Sequence, residues 1–100
     1  AAVATPVAMA VTELLQNAIE HGLGGRGGVV DVDVGVDVQR ARLVVTVTDT
    51  GAGLPDDYDL DATDSLGLRI VLTMVRDRGG DVTLSRLGTG TQARLDVPLA

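Results

Sequence analysis

The chain has 100 residues, 45% of them hydrophobic, a formal net charge of −6 and no cysteine. It reads as one small domain, 1–100, with enough apolar content for a core; disorder, disulfides and thiolate metal sites are excluded. The net charge of −6 disfavours a phosphate-tracking surface, and Tyr58, the one aromatic, makes no base-stacking platform, so nucleic acid is not an expected partner; all eight basic residues are arginine.

Thr5-Pro6 reads as a helix start, with Thr5 as N-cap and Pro6 at the first helical position. The helix is expected to run to about His21 and stop at Gly22, where the loop "GLGGRGG" begins. Val7, Val11, Leu14, Leu15 and Ala18 share the face to be buried. "VVDVDVGVDV", Val29 to Val38, puts valine at every even position from 30 to 38, with Asp31, Asp33 and Asp37 facing water opposite. Gln39 to Ala41 turn the chain into a second strand, Arg42 to Asp49, making a hairpin. Residues 50–64 are rich in Gly, Asp, Thr and Pro, show neither period, and read as a flexible segment. A second helix starts near Ser65, capped by Asp64 or Ser65, presents Leu68, Val71, Leu72 and Val75, and ends at Gly79-Gly80. Two strands close the chain, one with Val82 and Leu84 inward and one with Ala93, Leu95, Val97 and Leu99 inward, joined by the turn "LGTG". One apolar face per strand and one stripe per helix predict a two-layer α/β sandwich, its sheet mixed and mostly antiparallel, with the helices on one face. No apolar run reaches the length of a membrane span and no secretory signal is visible, so no membrane contact by this domain is expected.

Four constellations could carry chemistry. Glu13, Asn17 and His21 sit at i, i+4 and i+8 on one helical ridge. A carboxylate and an amide oxygen so placed can hold Mg²⁺ with its water shell, or simply be the solvated side of an amphipathic helix. Asp49 continues the inward parity of Leu43, Val45 and Val47 and is followed by Gly51 and Gly53. A carboxylate on an apolar face needs a donor, such as the exocyclic amine of adenine, and glycines let backbone approach a flat ring; a turn at a strand end also uses Asp and Gly. "SLGLRI", Ser65 to Ile70, places Gly67 and Arg69 in the opening turn of the second helix, where free amides and the dipole favour phosphate, unless Gly67 is only a tolerated helix defect. In "GTGTQA", Gly88 to Ala93, Thr91 shares the inward parity of Ala93, Leu95 and Val97 and enters the same layer as Asp49, while Gly88 and Gly90 can serve a hairpin turn.

The four occur in an informative order. "TELLQNAIEHG", "DTGAGLP", "SLGLRIV" and "GTGTQARLDVPL" resemble, in sequence, the N, G1, G2 and final boxes of the GHKL-superfamily ATP-binding domain found in sensor histidine kinases, over about Val11 to Leu99. The resemblance implies a Bergerat-type fold with ATP and Mg²⁺ as cofactors. It puts the Mg²⁺-coordinating asparagine at Asn17, a general-base glutamate at Glu13, the adenine-binding aspartate at Asp49, and at Thr91 the threonine that reaches adenine through water. Gly51, Gly53, His21 and the G2 residues Gly67, Leu68 and Arg69 complete the expected nucleotide contacts. The sequence departs from the pattern in four ways. Glu20 stands where many histidine kinases carry Lys or Arg, Ser65 replaces a common glycine, the phenylalanine-containing F box is not seen, and Leu54 to Asp64 is short for an ATP lid.

The implied function is the ATP-binding catalytic domain of a two-component sensor histidine kinase. It would transfer the γ-phosphate to a histidine on a separate dimerisation domain that this chain does not contain, and serve a response regulator indirectly. The one histidine here, His21, lies inside the expected nucleotide site. "NAxxHG" is shared with anti-sigma-factor serine kinases, which act on a small partner protein; a nucleotide-binding module without turnover is the third reading.

Overall fold

The computed structural model describes residues 4–23, 27–51, 59–63 and 65–99, without the side chains of Ala4 and His21. The elements are α1 (Ala4–Asn17), β1 (Val30–Asp37), β2 (Arg42–Asp49), α2 (Leu66–Asp77), β3 (Asp81–Leu87) and β4 (Gly90–Pro98), with a π-helical turn at Ala18–Gly22 and a 3₁₀ turn at Leu60–Ala62. The strands form one sheet in the order β1-β2-β4-β3, antiparallel at every junction.

The register follows the alternation. Val45 lies opposite Leu95 and Val47 opposite Ala93, and Val82 and Leu84 of β3 meet the same two β4 residues from the other side. This row faces the helices, and Val45, Val47, Val82, Ala93, Leu95 and Val97 are buried with Ala10 and Leu14 of α1 and Leu68, Val71, Leu72 and Val75 of α2. Each large aliphatic side chain so buried contributes roughly 1.5–3 kcal/mol. The opposite face is polar. There Arg42 pairs with Asp96 and Gln92 donates to the Thr48 hydroxyl.

α1 begins at Ala4, so Thr5 is already helical and not the cap. The expected inward face holds: Ala18 is buried and Val7, Val11 and Leu15 pack at its margin. The helix does not run to Gly22 in one form. After Asn17 it widens into the π turn, and the Leu23 amide donates to Ala18 O at 2.9 Å. α2 is capped by Ser65, whose Oγ accepts from the Leu68 amide at 3.2 Å. It ends on a Schellman motif, in which Gly80 N–H reaches Val75 O, Gly79 N–H reaches Arg76 O, and Gly79 takes a φ of +80°.

Two expectations are corrected. The valines of β1 pair across to Leu43, Val45 and Val47 and so lie on the helix side. The helical layer does not extend over this edge strand, however, and Val32, Val34 and Val36 remain 43%, 60% and 54% exposed. The alternation fixes which face the valines share, but not whether anything covers it. The second correction concerns residues 59–63, read as flexible. Asp59 caps the 3₁₀ turn by accepting from the Asp61 amide at 3.0 Å, Leu60 packs on the core, and Arg76 bonds Asp61 at 2.6 Å. The rest of that segment, Ala52 to Tyr58 and Asp64, lies outside the described residues, as do Gly24 to Arg26 of the earlier loop.

The layout separates two kinds of valine and leucine. Leu95→Ala, at a site with no exposure, should cost about 2–5 kcal/mol of unfolding free energy. Val34→Ser should change it by no more than about 0.5 kcal/mol. Urea denaturation of both variants checks this, and a large loss for Val34→Ser would mean that β1 is covered.

Candidate functional site

Asp49 is the last residue of β2 and lies directly opposite Thr91 of β4. It is 5% exposed and is the buried charged residue of the described core. Its Oδ1 accepts the Gly51 amide at 2.9 Å, an Asx-type turn that supplies one donor from the chain itself. The next residue locks the turn in place. Thr50 donates its amide to Val29 O at 3.2 Å, and its hydroxyl accepts the Val29 amide at 3.0 Å. Thr91 is half-buried on the same inward face, as its parity requires.

Gly90 explains how these pieces come so close. A Cβ there would lie 1.8 Å from Asp49 O and 3.1 Å from Thr50 Cα, so only glycine permits the contact. Gly90 is therefore a site residue that the sequence reading assigned to the turn. The turn itself uses Gly88, at φ +61°, while Gly90 opens β4. Thr50 was also missed. Its only signal is its place between Asp49 and Gly51, and a threonine there is ordinary.

A second group forms where the two helices meet. Asn17 donates its Nδ2 to Glu13 O at 2.8 Å and to Glu13 Oε1 at 3.3 Å. The amide nitrogen is thus committed to Glu13, and the oxygen is the atom left for a cation. The Glu13 carboxylate in turn lies against Gly67 in the first turn of α2, where a Cβ would stand 2.0 Å from Oε1. So the structure brings Glu13, Asn17 and Gly67 together. Leu68 gives its side chain to the core and its amide to the Ser65 cap. Arg69 is exposed on the same turn. The ridge that was to include His21 changes helical form after Asn17, and the His21 side chain and Gly53 lie outside the described residues. The π turn packs against both β2 and β4, linking the helical group to the strand ends that carry Asp49 and Thr91. π turns of this kind recur at functional sites.

Among the described residues no group of three or more His, Cys, Asp or Glu could hold a metal ion. One amide oxygen beside one carboxylate suits Mg²⁺, which keeps several waters and takes further oxygens from phosphates. On the far side of α2, the Arg76 guanidinium is held between Asp61 and Asp81, and those hydrogen bonds, Asp61 first, raise its pKa. The bridge joins Asp61 of the 3₁₀ turn to the last turn of α2 and to the start of β3.

Comparison with known proteins shows the family and the fold. Residues 2–100 match the family described as histidine kinase-, DNA gyrase B-, and HSP90-like ATPase. The chain is 38% identical over 95 residues to blue-light-activated histidine kinase 2 of Erythrobacter litoralis, covering 94% of this chain and 27% of that protein. It is 39% identical over 105 residues to the sensor histidine kinase PdtaS of Mycobacterium tuberculosis, covering 92% and 21%. The solved histidine kinase domain of the E. litoralis EL346 protein superposes with a TM-score of 0.81 at 38% identity, over 94% of this chain and 46% of that one. Acinetobacter baumannii AdeS, at 19% identity and a TM-score of 0.77, shares the fold. The chain spans about a fifth to a quarter of the curated relatives it matches.

The Gly90 contact yields a direct expectation. Gly90→Ala must push β4 away from Asp49 and should cost about 1–3 kcal/mol. Gly35→Ala, where a Cβ meets nothing within 4 Å, should be nearly neutral. Equal denaturation midpoints for the two variants would contradict the close approach.

Proposed function

The chain belongs to the family of histidine kinase-, DNA gyrase B- and HSP90-like ATPases, and we propose that it is the ATP-binding catalytic domain of a sensor histidine kinase. The observation that carries this reading is Asp49, a carboxylate buried at a strand end opposite Thr91 with one oxygen already served by Gly51. Such a group suits an amine donor and repels a carbonyl, which selects adenine over guanine. Gly51, with no side chain, leaves the ring room. The phosphates lie toward Gly67 and Arg69 at the start of α2, with Mg²⁺ on Asn17. When bound, the ion neutralises phosphate charge and orients the γ-phosphoryl group.

The acceptor is a histidine on a separate dimerisation domain of the same kinase, and a response regulator is served downstream. Catalysis is chiefly positioning. The imidazole nitrogen forms the new N–P bond as the bond from the γ-phosphorus to the bridging oxygen breaks, and that oxygen leaves with ADP. Glu13 orients the ring and accepts its N–H proton. Among the described residues no helix is long and apolar enough to cross a membrane, and we place the domain in the cytoplasm, where ATP is available.

Removing the Asp49 bond should cost about 1.5–3 kcal/mol. Calorimetric titration of Asp49→Ala should thus show at least about a tenfold loss of ATP affinity, and Asn17→Ala should lose the gain that Mg²⁺ provides. Unchanged affinity in folded Asp49→Ala would remove the adenine assignment.

A second test addresses the transfer. The isolated chain should bind ATP without phosphorylating itself, and adding the dimerisation helices should give acid-labile, base-stable phosphohistidine on them. Glu13→Gln should slow that transfer roughly 10²-fold with little change in ATP affinity. Phosphoserine on a small partner protein would instead assign the anti-sigma class of kinase, and an absence of ATP binding would leave a non-catalytic module.

A further inference from the structure

The nucleotide reading gives Gly67 one task, to bring the backbone of α2 near phosphate. The geometry points to another. We propose that Gly67 is a positioning residue for Glu13, keeping open the space in which the Glu13 carboxylate rests. This inference rests on the general-base role given to Glu13.

The contact is specific. A Cβ at Gly67 would lie 2.0 Å from Glu13 Oε1, 2.4 Å from Cδ and 2.7 Å from Oε2, so the three atoms nearest to it across the helix interface belong to this one carboxylate. Oε1 is also the atom that accepts from Asn17 Nδ2 at 3.3 Å. The carboxylate is thereby held from two sides, by an amide one helical turn along α1 and by the bare backbone of α2. The backbone at Gly67 does not take a positive φ, so the position does not need glycine for its conformation. It lies in the opening turn of α2, where alanine has the higher helix propensity. What glycine supplies there is room. Because the atoms in the way are the far end of a flexible side chain, Gly67→Ala should fold without difficulty and relieve the clash by turning the Glu13 carboxylate out of place. A general base works only within hydrogen-bond reach of the proton it takes. A displaced Glu13 leaves ATP binding intact and loses the proton-accepting step.

The test uses the full-length kinase for transfer and the chain itself for folding and binding. Gly67→Ala should match or exceed the parent in urea denaturation. At saturating ATP it should transfer phosphate roughly 10²-fold more slowly. A double-mutant cycle gives the decisive reading. If Gly67 acts through Glu13, adding Gly67→Ala to Glu13→Gln should slow transfer no further, because the group it displaces has already been disabled. The inference is overturned if Gly67→Ala weakens ATP binding tenfold while the saturated rate holds, which is the outcome for a phosphate contact. It is equally overturned if the two substitutions multiply. Should Glu13→Gln alone transfer at the parent rate, the general-base reading falls and this inference with it; failure of Gly67→Ala alone leaves the general-base reading standing.

Discussion

A one-residue slip between β2 and β4 would turn one strand over relative to the other, sending either Val45, Val47 and Asp49 or Ala93, Leu95 and Thr91 out of the interior. Core and candidate site are therefore set by the same pairing. The apolar residues supply the energy that holds the register, since exposing even two of these side chains would cost several kcal/mol. The site exploits it: Asp49 is buried because it is the next inward position after Val47, not because anything local favours a buried carboxylate. Gly90 tightens the arrangement at the strand end, where β4 begins against the Asp49 backbone. The Asx turn to Gly51 and the two bonds between Thr50 and Val29 then fix how the chain leaves β2.

The helical side of the site has a different origin. α2 is held at both ends, by the Ser65 cap and by the Schellman turn at Gly79-Gly80, and it buries one complete face. α1 is regular through Asn17, where Glu13 and Asn17 are joined one turn apart, and then widens into the π turn. The site thus combines a rigid sheet end, a capped helix start, and a helix whose form changes one residue after its polar pair. Elements built this way can place a carboxylate and an amide within a few tenths of an ångström while the residues beyond them adjust.

Much of this was legible in the sequence because period-2 and period-3.6 patterns report on faces. The buried set of α2 is Leu68, Val71, Leu72 and Val75, and the pattern names the same four. The inward parity of Asp49 and Thr91 needed nothing beyond counting from Val47 and Ala93. What a face touches is another matter, because it depends on residues far away in sequence. Glu13 meets Gly67, and Asp49 meets Gly90, through the packing of whole elements, so Gly67 could read as a helix defect and Gly90 as part of a turn. The 3₁₀ turn at Leu60–Ala62 was invisible for a similar reason. Its hold on the fold comes from Leu60 packed on the core and from Arg76, on the opposite end of α2.

β1 shows how a pattern can be right about parity and silent about cover. Its valines share the helix side, yet no helix lies over them, and an edge strand with an exposed apolar row invites pairing with another copy of itself. The other face answers that hazard. In an antiparallel self-pairing that keeps like faces together, a register centred on residue 33 sets Asp33 opposite Asp33. One centred on residue 34 sets Asp31 opposite Asp37, and one centred on residue 35 sets Asp33 opposite Asp37. Each places like charges directly across from one another, which opposes association. The aspartates that looked like a mere solvated face thus oppose self-pairing of an edge that carries exposed valines.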